Sequence, residues 1–393
     1  MLTQASLYRG SQAFTDFARV TPQTDLGSLN LNWREHDLPQ WERTKHVHGL
    51  HPYLGKFIPQ LVEIFLRKYA RRVVVDPFVG CGTTLVEANV LGLESVGCDV
   101  SYFNCLLCRV KTGSYDLDLL RRELLDILTR AEFAAMSGEA DEAARAETNA
   151  YLTTWYAPRS LAELVAYRRF IGEYHYQEVM QVVLSRAARS ARLTTHFELD
   201  FPERPQTEPY YCRKHRRTCY PTVGALGFLR RYTFDTLERL QEFARLRKPA
   251  RVEVLWADAR EADFPACDTV ITSPPYLGLI DYHEQHRYAY ELLGLPRLCE
   301  REIGSATQGR GKTALAAYRE GVKAVFARVA DALVRDGHLV VIVHDRMELF
   351  GTIAEELGLR TEAVLERHVN RRTGCRPGEF FERAYVWRKA GPR

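Results

Sequence analysis

The sequence predicts a doubly wound α/β fold: a mostly parallel sheet, an antiparallel hairpin at its end and a mainly helical insertion in its middle. Three observations carry this. Val73-Val74-Val75-Asp76 and Asp268-Thr269-Val270-Ile271-Thr272 are apolar, β-branched runs that end in polar turns, as buried parallel strands do. Similar runs alternate with helical periodicity on both sides of them. Between Tyr115 and Pro249 strand signals nearly vanish.

The chain has 393 residues, 46% of them hydrophobic, enough for a sizeable core and for more than one domain. Lys plus Arg total 54 against 50 Asp plus Glu, so any nucleic-acid footprint must be a local patch. No opening apolar segment and no run of membrane-spanning length occurs, which predicts a soluble, cytoplasmic protein without a signal peptide. Nine scattered cysteines fit reduced thiols better than a disulfide framework.

Residues 1–44 are turn-rich and read as an N-terminal arm, with Trp33 and Trp41 covering the edge of the core rather than stacking on a base. Pro59 suits the first position of a helix, and Ile58, Leu61, Val62, Phe65 and Leu66 then share one face. The strand at 73–76 follows. Thr84 to Leu91 reads as a helix closed by Gly92, and Ser95 to Asp99 as the next strand. Strand, glycine turn, helix, strand, acid is the dinucleotide-type βαβ order, with the acid about twenty residues past the glycine turn.

Helical periodicity at Leu117–Met136, Ala140–Leu152, Ser160–Ala191 and Ala225–Leu246 builds an insertion of roughly 135 residues, too long for a loop. Strands resume at Arg251–Ala257 and Thr269–Thr272. A helix near Glu284–Leu293, a polar loop, a helix at Leu315–Val334, a strand at Gly337–Val343 and a helix at Leu349–Leu357 follow. Arg360–Val369 and Phe380–Trp387 make the last hairpin. The expected division is an arm at 1–44, a catalytic domain at 45–115 and 250–393, and the insertion at 116–249, the candidate for target recognition.

Two turns carry the chemistry. Gly80 and Gly82 in Asp76-Pro77-Phe78-Val79-Gly80-Cys81-Gly82-Thr83 let backbone approach a ligand, and Thr83 and Thr84 open a helix with free N–H groups. There is no phosphate-loop lysine. Asp76 would repel a polyphosphate but suits an ammonium, and Asp99 is placed for ribose hydroxyls. An amino-acid-bearing nucleoside such as S-adenosylmethionine fits both acids. The second turn is Ser273-Pro274-Pro275-Tyr276. Two prolines force a rigid exit from the sheet. An exocyclic amine is a poor nucleophile because its lone pair is delocalised into the ring. Oxygen acceptors such as Ser273 Oγ and the Pro274 carbonyl can favour its attacking form, and Tyr276 can stack on an extruded base.

Together these two motifs resemble the amino-group DNA methyltransferases, and the likeness covers roughly residues 30–115 and 250–390. His51 to Pro59 is similar to that family's upstream cofactor motif, which implies cofactor roles for Tyr53, Lys56, Phe57 and Pro59. Trp256-Ala257-Asp258-Ala259-Arg260 looks like the strand-end acid that meets the cofactor's adenine, so Asp258 and Ala259 join Asp76, Pro77, Phe78, Gly80, Gly82, Thr83, Thr84 and Asp99. The resemblance implies a seven-stranded Rossmann-like sheet and direct in-line transfer to a flipped base in a short duplex DNA site. Ser273 before Pro-Pro-Tyr points to cytosine N4, with adenine N6 as the alternative and an RNA amine further off. A C5-cytosine enzyme would need a cysteine nucleophile in a Pro-Cys pair, and none occurs. A cognate restriction endonuclease is an expected partner.

Three further segments stand out. Tyr210 to Tyr220 mixes tyrosines with Arg213, Lys214, Arg216 and Arg217, a candidate phosphate contact. Cys212, His215 and Cys219 within it are soft ligands, but a structural zinc needs a fourth and none is obvious nearby, so no metal is assigned. Ala306–Thr313 fits a relaxed phosphate-loop pattern without the preceding strand. It reads instead as a mobile loop closing over DNA through Arg310 and Lys312. Arg371, Arg372 and Arg376 in the last hairpin's loop are further candidate contacts to the phosphate backbone.

Overall fold

The computed structural model describes residues 14–200, 202–345, 347–369 and 380–390. Nine strands form among them: β1 Val73–Asp76, β2 Glu94–Asp99, β3 Tyr210–Cys212, β4 Arg217–Cys219, β5 Val252–Trp256, β6 Cys267–Thr272, β7 Leu333–Val343, β8 Leu359–Val369 and β9 Phe380–Lys389. Seven of them make one sheet in the order β5-β2-β1-β6-β7-β9-β8. All neighbours are parallel except β9, which runs antiparallel to both β7 and β8. The expected doubly wound fold with its final antiparallel hairpin is therefore present.

Strand alternation sends side chains to two faces. Val74, Ile271, Val340, Ile342 and Val386 pack with the helix Pro59–Tyr69 and with Trp33, Leu31 and Val20 of the arm. Val75, Val270, Leu339, Val341 and Trp387 pack with the helices Lys312–Ala332 and Leu349–Glu356. Burying both faces explains why these strands read as nearly continuous apolar runs. The arm closes one face with Trp33, which is 7% exposed, but Trp41 is 72% exposed and does not cover the core as the sequence suggests.

The chain forms two compact units. The sheet unit takes the chain up to Thr112, Leu246–Asp281 and Leu298 onward. The second unit takes Gly113–Arg245 together with Tyr282–Arg297, a stretch that the sequence leaves on the sheet side. It is mainly helical, with one separate hairpin, β3–β4. The single periodic runs of the insertion are broken in the structure: Pro158–Phe170 and Gln177–Ala191 are separate helices, as are Glu139–Arg145 and Ala150–Trp155. Asn149 caps the helix at 150–155 by accepting the Leu152 N–H, a local bond that periodicity does not register.

Candidate active site

β1 and β6 are neighbours at the point where the strand order reverses, the place where open α/β sheets bind ligands beyond their carboxyl ends. Both predicted motifs leave the sheet here. Asp76 ends β1, is fully buried and has both oxygens engaged. Oδ1 accepts the Thr272 hydroxyl at 2.6 Å and the Phe78 N–H at 3.1 Å, and Oδ2 accepts the Thr84 hydroxyl at 2.7 Å. Burial pushes its pKa up to about 6 despite these bonds. The ammonium contact expected of Asp76 thus meets an enclosed carboxylate whose visible work is to join the glycine turn to the exit of β6.

Gly80 has φ +49, and a Cβ there would lie 2.9 Å from Tyr53 Oη. Gly82, at φ +83, starts the helix Thr83–Val90. The turn is a cradle that only glycine fits. Asp99 ends β2 half-buried. Its Oδ2 accepts the Gly80 N–H at 2.9 Å and the Asn104 amide at 3.2 Å, and its Oδ1 accepts the Ser101 N–H at 2.8 Å. Burial raises its pKa to about 6 as well. Asn104 also donates to Tyr53 Oη at 3.2 Å, while its own Oδ1 is buried with no hydrogen-bond partner among the described residues. A glycine cradle, a strand-end carboxylate and an unmatched buried acceptor fit the ribose and amino-acid ends of S-adenosylmethionine.

The other cofactor residues divide. Lys56 donates to the His48 carbonyl at 2.9 Å, and Phe57 and Pro59 are buried at the start of the helix Pro59–Tyr69. Thr83 is buried beside Cys81, Pro77 is buried and Phe78 is half-buried with its ring edge-on to Phe326. Asp258 is 7% exposed and paired with Arg260 at 2.5 Å and Arg301 at 3.5 Å. Burial works to raise its pKa, but the Arg260 bonds win and hold it low. Ala259 beside it is buried. Trp256, at the end of β5, donates its indole N–H to the Val100 carbonyl at 2.9 Å and meets Tyr102 edge-on.

Ser273-Pro274-Pro275-Tyr276 leaves β6 with Ser273 half-buried. The Tyr318 hydroxyl donates to the Pro275 carbonyl at 2.9 Å, and the Tyr276 hydroxyl donates to Glu382 Oε1 at 3.3 Å. Glu382 in turn holds buried Arg367 at 3.1 Å. Gly278 follows with φ +64. Its carbonyl accepts two bonds from Arg310, at 3.1 and 2.9 Å, and its N–H donates to Gly304 at 2.9 Å. Arg310 therefore braces the segment after the motif, which differs from the free phosphate-facing arginine of a mobile loop. Lys312 is exposed at the start of the helix Lys312–Ala332.

Asp345 caps the helix Leu349–Glu356 through the Leu349 and Phe350 N–H groups. Arg213, Lys214, Arg216 and Arg217 are all exposed at the tip of the β3–β4 hairpin. Arg371, Arg372 and Arg376 lie outside the described residues. Sequence reasoning passes over Thr272, Asn104, Tyr318 and Glu382. Thr272 looks like one more β-branched strand residue, and Tyr318 reads only as part of an amphipathic helix. Asn104 does have a signal, its place in the first turn of the helix after Asp99.

No family model matches the chain. It is 35% identical to the Type II methyltransferase M.MjaII of Methanocaldococcus jannaschii, over 88% of this chain and 81% of that protein. It is 32% identical to the Type II methyltransferase M.MvaI of Kocuria varians over 26% of this chain and 21% of that protein. Among solved structures, the rRNA methyltransferase aviRa of Streptomyces viridochromogenes aligns with 14% identity and a TM-score of 0.33, covering 87% of this chain and 92% of that one. The fold and site are those of a methyltransferase that uses S-adenosylmethionine. The chain belongs to the Type II methyltransferases, in keeping with the amino-group DNA methyltransferase motifs of its sequence. Among the described residues no helix is long and apolar enough to cross a membrane.

Proposed function

We propose that this protein methylates the exocyclic N4 of cytosine in a specific short site of duplex DNA, acting on a base turned out of the helix. The observation that supports this best is the Thr84–Asp76–Thr272 bridge, which locks the glycine turn beside the Ser-Pro-Pro-Tyr exit at one sheet edge. S-adenosylmethionine supplies an electrophilic methyl group on a sulfonium. Its ribose is taken by Asp99 and its amino-acid end by the Gly80–Thr84 turn, with Asp76 as a positioning residue. Asp258 and Trp256 border the adenine.

On the acceptor side, Ser273 Oγ and the Pro274 carbonyl accept the two amine hydrogens, which turns the nitrogen lone pair toward the methyl group. The proton lost from nitrogen leaves through this same oxygen pair to water. No covalent enzyme intermediate is needed. Rigidity is the chain's contribution: the two prolines, the Tyr318 bond to Pro275 and the Arg310 bonds to Gly278 hold the acceptors in place. Tyr276 offers the stacking face. The helical unit is assigned target recognition, and the exposed Arg213, Lys214, Arg216 and Arg217 are assigned to phosphates.

Incubation with tritium-labelled donor and equal amounts of duplex DNA, single-stranded DNA and RNA tests this reading. Label should enter duplex DNA in preference. Label confined to RNA would overturn the reading.

A further inference from the structure

We propose that His196, Cys212, His215 and Cys219 bind one zinc ion that holds the β3–β4 hairpin together. The sequence offers Cys212, His215 and Cys219 as soft ligands but no evident fourth. The structure brings in His196, from well upstream of the hairpin. One donor atom from each of the four residues lies within 4.8 Å of all the others.

The spacing suits zinc. Cys212 Sγ and Cys219 Sγ lie 3.7 and 3.5 Å from His215 Nδ1. A tetrahedron with Zn–S of about 2.3 Å and Zn–N of about 2.05 Å has S···N edges of about 3.6 Å. Thiol hydrogen bonding accounts less well for the same arrangement. His215 Nδ1 has one lone pair and two thiols aimed at it, so it can accept from only one of them. A cation satisfies both sulfurs and both imidazoles at once, and two thiolates with two imidazoles favour zinc over harder ions.

His196 is oriented from behind. The Tyr210 oxygen lies 2.8 Å from its Nδ1 and accepts its backbone N–H at 3.0 Å. With Nδ1–H given to the tyrosine oxygen, Nε2 is the nitrogen left to ligate, the usual supporting arrangement around a metal-bound histidine.

Among the described residues, hydrophobic burial does little to hold the segment. From Thr195 to Gly224, Cys212 and Cys219 are the only buried residues among those described. Phe197, Tyr211, Tyr220 and Val223 are exposed, at 88, 67, 73 and 63%. The hairpin has three residues in each strand and pairs with no other sheet. A lone hairpin of this size is marginal in water, and a structural metal is a common substitute for a core. The ligands bracket the basic tip, so the metal would also fix the placing of Arg213, Lys214, Arg216 and Arg217. The zinc assignment does not depend on which nucleic acid that tip meets.

Elemental analysis of the full-length, tag-free protein tests the proposal. One zinc per chain is expected, falling to background in Cys212→Ser and Cys219→Ser. Calorimetric binding of S-adenosylmethionine, read in the same samples, reports whether the sheet unit is still folded. Chelator-stripped protein titrated with cobalt(II) provides a second readout. It should give the visible absorption of tetrahedral thiolate coordination, which either serine variant weakens. Zinc retained in both variants would overturn the proposal, as would wild-type protein that carries no zinc and gives no tetrahedral cobalt spectrum.

Discussion

Thr272 donates its hydroxyl to Asp76 across 2.6 Å, tying the end of β6 to the end of β1 at the point where the strand order reverses. Both side chains are fully buried. Thr84 completes the bridge from the glycine-turn side at 2.7 Å. The glycine turn and the Ser-Pro-Pro-Tyr exit are thereby fixed to each other through one carboxylate.

Thr272→Val should therefore cost more than a lost surface bond. It leaves an Asp76 oxygen short of a partner inside the protein, a penalty of about 1–3 kcal/mol. Thr272→Ser keeps the hydroxyl and should recover most of that loss. Urea unfolding of the two variants separates them, and equal stability of both would contradict the role given to this bond.

Asp76 also sets a pH dependence. Its pKa in the fold is about 6, against 3.8 for an ordinary aspartate, with burial as the main cause. Because the folded value is raised, the protonated acid favours the native state fully below pH 3.8, and that contribution is lost as pH rises to about 6. The change corresponds to roughly 3 kcal/mol. Asp76→Asn cannot titrate. The stability of wild type minus that of the variant should thus be smaller at pH 7 than at pH 4 by about 2 kcal/mol, since part of the contribution is already gone at pH 4. Unfolding curves at the two pH values measure it, and a constant gap would contradict the raised pKa of Asp76.

Ser273→Ala should lower the methyl-transfer rate by about 10²-fold or more while leaving S-adenosylmethionine affinity close to wild type. At Tyr276 the ring and the hydroxyl have separable tasks. Tyr276→Phe removes the hydroxyl that donates to Glu382 across 3.3 Å and should keep most activity, whereas Tyr276→Ala should lose most of it. Single-turnover rates with calorimetric donor affinities give both readings.

Arg310 and Lys312 should behave differently although both are exposed cations. Arg310 holds the Gly278 carbonyl with two bonds, so Arg310→Ala should slow turnover at every salt concentration. Lys312→Ala should mainly weaken DNA binding and make the salt dependence shallower, by a slope change of about 0.9 for one phosphate contact. Turnover and DNA affinity across a salt series measure the two effects.

The sheet was legible because a strand buried on both faces has little choice of composition: Val73–Asp76, Glu94–Asp99 and Cys267–Thr272 are apolar runs with polar ends. The turns were legible for a related reason, since Gly80, Gly82, Pro274 and Pro275 are residues whose backbone limits are known without a structure. The enclosure of Asp76 was not legible, because Thr272 and Thr84 lie far from each other in sequence and look like ordinary strand and helix residues. The bonds from Arg310 to the Gly278 carbonyl were not legible, because a sequence does not show which carbonyl a guanidinium reaches. His196 was missed because its nearness to Cys212 is made by an irregular stretch with no period to read.

Mass spectrometry of nucleosides from duplex DNA methylated by the purified protein identifies the methylated atom directly. The expected product is N4-methyl-2′-deoxycytidine, absent from reactions with Ser273→Ala. Finding N6-methyl-2′-deoxyadenosine or 5-methyl-2′-deoxycytidine in its place would contradict the cytosine-N4 assignment.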